Sequence, residues 1–189
     1  MARPREGDWL LMKRIGRYLL GAPRLVQRYH WQERPKAVTT CVDSDWAGCR
    51  RTCRSTSGGV CKLGAHVLSF WAATQGVVAL SSAEAELYAL VKGAVNTSGM
   101  ISLLGDFGET VNGRISSDAS AAIGIVNRTV VGKLRHIRVQ YLWLQERVRE
   151  GEVKVLKIPG EDNPADIFTK NVPAEVLRKH LTDMCFETG

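Results

Sequence analysis

No stretch of the sequence reaches the roughly 18 consecutive apolar residues of a bilayer-spanning helix, and no secretory signal peptide opens it. Internal repeats and low-complexity tracts are absent too, which excludes a solenoid and argues against a disordered chain. Cysteine is scarce and odd in number: Cys41, Cys49, Cys53, Cys61 and Cys185 read as free thiols of a reducing, intracellular setting, cytoplasm or nucleus. Cys49 and Cys53, with Cys61 and His66 nearby, raise a zinc site, but the paired C-x-x-C spacing that would support it is missing. Acid is the minority charge, with 19 Asp and Glu against 26 Lys and Arg. The resulting net charge of +7 and pI of about 9.4 favour a polyanionic partner, nucleic acid before an anionic membrane surface.

What is present suffices for a folded core. A chain of 189 residues with 44% hydrophobic content fits one ordinary domain plus an appendage. The expected division is a basic amphipathic helix and linker over 1–36, a main domain over 37–172, and a C-terminal helix and tail over 173–189. In the first part, Asp8–Leu20 carries Leu10, Leu11, Ile15, Tyr18 and Leu19 on one helical stripe, opposite Lys13, Arg14 and Arg17. Such a stripe ordinarily lies over a core.

The main domain is organised around Ala37–Gly48, AVTTCVDSDWAG. Val38 to Val42 form a β-branched, apolar run that reads as a strand for a sheet interior. Asp43 and Asp45 follow at its downstream end. A buried strand ending in acid is costly unless the acids hold a metal or a partner, although strand-end Asp residues also serve as turn formers. Cys49–Ser57 is a polar, basic connection, and Gly58–Leu63 and Val67–Ala72 read as a hairpin, which completes an antiparallel meander. Ser81–Leu104 switches to helical period, with Ser81 or Ser82 as cap and Glu84 near the N-terminal dipole. Glu86 lies beside its apolar stripe and is expected to point toward the sheet, where an isolated helical carboxylate would ordinarily face solvent.

Gly113–Ser117 is a short strand ending in Asp118, and Ala119–Asn127 continues as a helix, a step that presents a carboxylate at the ligand edge of a parallel sheet. A helix over His136–Arg149, a strand over Glu152–Ile158 and a loop over Gly160–Asn163 follow. Pro164–Thr169 opens a helix that brings Asp166, and Pro173–Met184 supplies the last helix. The order is that of an α/β fold: a mixed sheet, antiparallel meander then parallel strands, flanked by helices.

Five motifs occur in one order: SDWAG at Ser44–Gly48, RSTSGG at Arg54–Gly59, VALSSAEAELYAL at Val78–Leu90, RHI at Arg135–Ile137 and ADIFTK at Ala165–Lys170. Together they resemble the ribonuclease H domain of copia-type (Ty1/copia) retrotransposon Pol polyproteins, from about Thr40 to about Pro173. Leu10–Tyr29 looks like the connection segment that joins reverse transcriptase to that domain. The resemblance implies an RNase H-like fold with a five-stranded sheet. It also implies a metal-dependent endonuclease that cleaves the RNA strand of RNA–DNA hybrids, with an upstream reverse transcriptase domain as a partner. Matching motif to motif, the catalytic and metal-holding acids are Asp43, Glu86, Asp118 and Asp166, with Asp45 and Glu84 as the nearest alternatives.

Carboxylates suit a pair of Mg²⁺ ions, with Mn²⁺ as substitute, and no small-molecule cofactor is expected. Contacts to nucleic acid are expected at Arg50, Arg51 and Arg54, with Lys62 nearby, and at Ser82 and His136 inside two of the motifs. The chain also departs from the pattern. The loop Ile158–Ala165 has no histidine, Ala72 and Ala73 stand where a lysine pair is usual, Ala119 replaces an asparagine and Arg138 an acid. These losses point to reduced turnover and keep a rival reading open: a catalytically degraded module that only binds nucleic acid or a polymerase.

Overall fold

The β-branched run becomes the middle strand of a five-stranded sheet. The computed structural model describes residues 4–128 and 138–188. In chain order these form α1 (Glu6–Gly21), β1 (Leu25–Gln27), β2 (Ala37–Asp45), β3 (Thr56–Leu63), β4 (His66–Thr74), α2 (Ser82–Asp106), β5 (Asn112–Ser117) and α3 (Ser120–Val126). There follow α4 (Arg138–Arg149), β6 (Val153–Lys157), two 3₁₀ turns (Gly160–Asp162 and Pro164–Phe168), α5 (Ala174–Asp183) and β7 (Phe186–Thr188). The RHI motif lies outside the described residues.

The sheet runs β4-β3-β2-β5-β6. β2, β3 and β4 are the antiparallel meander, while β5 and β6 join parallel to β2 and to each other. This is the RNase H-like, mixed α/β architecture. Two features differ from expectation. β2 does not stop at Val42 but pairs through Asp45, so Asp43 lies within the ladder opposite Gly58. The turn expected as a helix over Pro164–Thr169 is 3₁₀ and spans Pro164–Phe168, with Asn163 capping its start.

Both faces of the sheet are covered. On one, α2, α3 and α4 bury Val42, Leu87, Leu90, Ala94, Ile115, Leu144 and Val153. By composition α2 is long and apolar enough to cross a bilayer, yet Ala85, Leu87, Ala89, Leu90, Ala94 and Thr97 are buried within the domain, as befits a core helix. Gly93 permits its close approach to β2, since a Cβ there would stand 2.6 Å from Val42 Cγ1. A buried Thr40–Thr97 hydroxyl pair, 2.7 Å apart, fixes the same contact. On the other face Val60, Val67 and Met184 pack with Ile167, Phe168, Leu181 and Phe186.

The flanking segments are tied down unevenly. β1 pairs antiparallel with β7, and the Gln32 amide bonds Leu63 O, Ala65 N and the His66 ring at the β3–β4 turn. α1 buries none of its residues: Leu10, Leu11, Ile15, Tyr18 and Leu19 are all exposed, so its stripe does not cover this core.

Candidate active site

The site gathers at the C-terminal ends of β2 and β5. Asp43 is only 3% exposed. Its ladder partner Gly58 leaves room for the 3₁₀ turn, because a Cβ there would come within 2.8 Å of Phe168 Cβ and Thr169 Cγ2. Through that gap Thr169 donates its hydroxyl to Asp43 Oδ2. Burial raises the Asp43 carboxyl to about 6, against the Thr169 hydrogen bond and the nearby Lys170 charge, which pull it down.

Glu86 sits one turn into α2, and the start of that helix aims it. Ser81 caps the helix by accepting from Glu84 N at 3.2 Å, and the Glu84 carboxylate reaches back to accept from Leu80 N at 2.9 Å. Glu86 then reaches the end of β2, where its Oε1 accepts from Ser44 N (3.1 Å) and Ser44 Oγ (2.9 Å). Burial first, and the Asp43 charge second, push its carboxyl up to about 7.

Asp118 directly follows β5 and is half-buried, with its Oδ2 facing Gly160 of the loop after β6. Ligand oxygens of Asp43, Glu86 and Asp118 all lie within 4.8 Å of one another. Asp166 approaches from the second 3₁₀ turn. Buried Asn163 places that turn by donating to Val42 O at 3.0 Å and accepting from Ala165 N at 3.2 Å. Lys170 Nζ pairs with Asp166 at 2.9 Å and stands 3.8 Å from Asp43.

The two alternative acids are occupied elsewhere. Asp45 accepts from Thr56 N and braces the β2–β3 loop, and Glu84 caps α2. Arg50, Arg51 and Arg54 are exposed in the β2–β3 loop, which leaves β2 at the acidic end of the sheet, and Ser82 is exposed at the start of α2. Lys62 instead points to the opposite side, toward Asp183 O at 3.4 Å. His136 lies outside the described residues. The zinc reading does not assemble: among the described residues no cysteine joins a metal-ligating group, and the His66 ring is held by Gln32 and His30 O.

Asn163, Thr169, Lys170 and Ser44 are positioning residues that the sequence reading passed over. Three of them fall inside or beside motifs it had quoted only for their acids. Trp46 of SDWAG is likewise structural, donating to Ala79 O at 3.0 Å and tying the β2–β3 loop to the entry of α2.

The cluster fits a hard divalent cation. Oε2 of Glu86 and Oδ1 of Asp166 are buried without a protein donor, an arrangement that costs free energy unless something else binds there. The donors that converge are all carboxylate oxygens, the set that Mg²⁺ and Mn²⁺ take.

No family model matches the chain. It is 28% identical over 177 residues to the retrovirus-related Pol polyprotein from transposon RE2 of Arabidopsis thaliana, covering 90% of this chain and 12% of that polyprotein. Among solved structures, LC11-RNase H1, isolated from compost by a metagenomic approach, superposes with a TM-score of 0.56 at 17% identity, over 77% of this chain and 99% of that one. The foamy viral protease-reverse transcriptase in complex with RNA/DNA hybrid superposes with a TM-score of 0.51 at 13% identity, over 76% of this chain and 21% of that one. The chain is thus similar along 90% of its length to retrovirus-related Pol polyproteins, of which it spans about an eighth, and it shares the RNase H-like fold of those solved structures.

Proposed function

We propose that the domain is a metal-dependent ribonuclease H that cleaves the RNA strand of RNA–DNA hybrids within a retrotransposon Pol polyprotein. The observation that carries this reading is the convergence of Asp43, Glu86 and Asp118 with unpartnered, buried carboxylate oxygens on Glu86 and Asp166. Asp43, Glu86, Asp118 and Asp166 would hold a divalent ion there, which would supply an activated water and neutralise phosphate charge. Asp43 lies within 4.8 Å of Glu86 and Asp118 and shares Lys170 with Asp166, while Ser44 and Thr169 fix the rotamers of Glu86 and Asp43. Raised Asp43 and Glu86 keep part of the cluster protonated until a cation arrives, which limits repulsion among buried acids. Arg50, Arg51 and Arg54, with Ser82 and His136, would engage the hybrid backbone beside the acids. The foamy viral neighbour, bound to RNA/DNA hybrid, supports that substrate and an upstream reverse transcriptase as partner.

The test is cleavage of an end-labelled RNA–DNA hybrid with Mg²⁺, parent against Asp43→Asn. Cleavage by the parent should fall by several orders of magnitude in the variant. Equal rates would remove Asp43 from the mechanism. A parent that neither cleaves nor changes its thermal midpoint with Mg²⁺ would establish the rival, a binding module that keeps only the fold.

A further inference from the structure

Lys170 occupies a position that the metal chemistry does not explain. Its ammonium lies 2.9 Å from Asp166 and 3.8 Å from Asp43. The placement is built in. Asp166 and Lys170 are four residues apart on a tight turn, with Lys170 N bonded to Asp166 O at 3.1 Å and the neighbouring Thr169 hydroxyl anchored on Asp43. Among the described residues, the ion pairs to these acids come from Lys170. The Lys170 side chain is nevertheless 49% exposed, whereas that of Asp43 is 4% exposed. Asp43 is buried and Asp166 largely covered, and the cation has an open route into water.

We propose that Lys170 is a tethered counter-ion: it neutralises the Asp43–Asp166 side of the cluster in the metal-free protein, is displaced when a divalent cation binds, and thereby sets the Mg²⁺ concentration at which the site loads. A monovalent and a divalent cation repel strongly at the few ångströms separating these carboxylates, so both cannot keep the same two acids. Half-exposed ion pairs are weak, and a lysine stem reaches water by simple rotamer changes, so the displacement is easy but not free. The proposal rests on the cluster being a metal site, and the experiment below separates the two.

The measurement is the thermal midpoint of the full chain as a function of Mg²⁺ concentration, for the parent, Lys170→Met, Lys170→Gln and Asp43→Asn. Metal-free Lys170→Met should melt below the parent, because the acids lose their counter-ion. Its half-maximal Mg²⁺ concentration should fall by roughly two- to fivefold, the scale of a partly exposed ion pair. Lys170→Gln, which keeps a donor for Asp166 without the charge, should show the same fall even if Lys170→Met does not fold. An unchanged or raised Mg²⁺ requirement in the neutral variants, while the parent responds and Asp43→Asn does not, overturns the counter-ion role and leaves the metal site standing. A parent-like response in Asp43→Asn, or no response in any protein, overturns the metal site and the counter-ion role with it.

Discussion

Replacing Asp43 by Asn should stabilise the metal-free protein above neutral pH, although it alters a buried residue at the centre of the site. Asp43 is raised from 3.8 to about 6, with burial the leading cause. Because the folded value exceeds the unfolded one, folding favours the protonated acid. That contribution is fully present below about 3.8 and is lost as pH rises through about 6. By pH 8 the native state therefore carries an ionised carboxylate at a cost of about 3 kcal/mol, and at pH 5 roughly half of that. An asparagine resembles the protonated acid, since its amide oxygen can still accept from Thr169, but its NH₂ group needs an acceptor. The net gain at pH 8 should be about 1–3 kcal/mol, or about 3–10 °C in Tm for a chain of this size. The assay is thermal unfolding in a chelator at both pH values. A variant that melts at or below the parent at pH 8, or gains equally at pH 5 and pH 8, refutes charge burial as the cause.

Other perturbations test the scaffold around the acids. Gly93→Ala places a Cβ 2.6 Å from Val42 Cγ1 and should push α2 off β2, lowering stability by about 1–3 kcal/mol in a denaturant titration. Asn163→Ala removes the bond to Val42 O and the cap of the Asp166 turn, so it should cost about 1–3 kcal/mol and depress hybrid cleavage in protein that still folds. Each of Arg50→Ala, Arg51→Ala and Arg54→Ala should reduce the slope of log affinity for a hybrid against log salt by about 0.9 if that side chain contacts a phosphate, and an unchanged slope removes the residue from the interface.

The sheet and its acids were legible because their signals are local. A β-branched run marks a strand, period change marks α2, and an acid directly after a strand marks a ligand edge, so Asp43 and Asp118 could be placed from neighbours in sequence. The helical phase of α2 turned Glu86 toward the sheet, and the motif match favoured it over Glu84. What escaped depends on contacts across long sequence separation. Nothing around Asp43 announces that β2 continues through it; that follows from Gly58, whose missing side chain admits the 3₁₀ turn. Asn163 reads as a loop residue until its amide is seen on Val42 O, 121 positions away. The pairing of β1 with β7 joins segments near opposite ends of the chain, neither with enough length or alternation to declare a strand. Burial of the α1 stripe was expected from periodicity, and periodicity says only that a face exists, not that this chain supplies its cover.

The energetics of the site argue for a working acid cluster rather than a relic of one. Holding Asp43 and Glu86 in the protein at elevated pKa works against folding above neutral pH, and leaving Glu86 Oε2 and Asp166 Oδ1 without donors adds to that cost. Any single neutral substitution would relieve part of it. A module that only bound nucleic acid through surface arginines would gain nothing from the acids, since their charge opposes the phosphate backbone. The surrounding structure does the reverse of relieving them: Ser44 fixes Glu86, Thr169 fixes Asp43, and Asn163 brings Asp166 to the same edge. Asp43, Glu86 and Asp166 are each braced in this way, although small apolar residues stand nearby at Ala72, Ala73 and Ala119. Buried acids held in place by such support are what the proposed cation site requires, and the Asp43→Asn comparison above is its test.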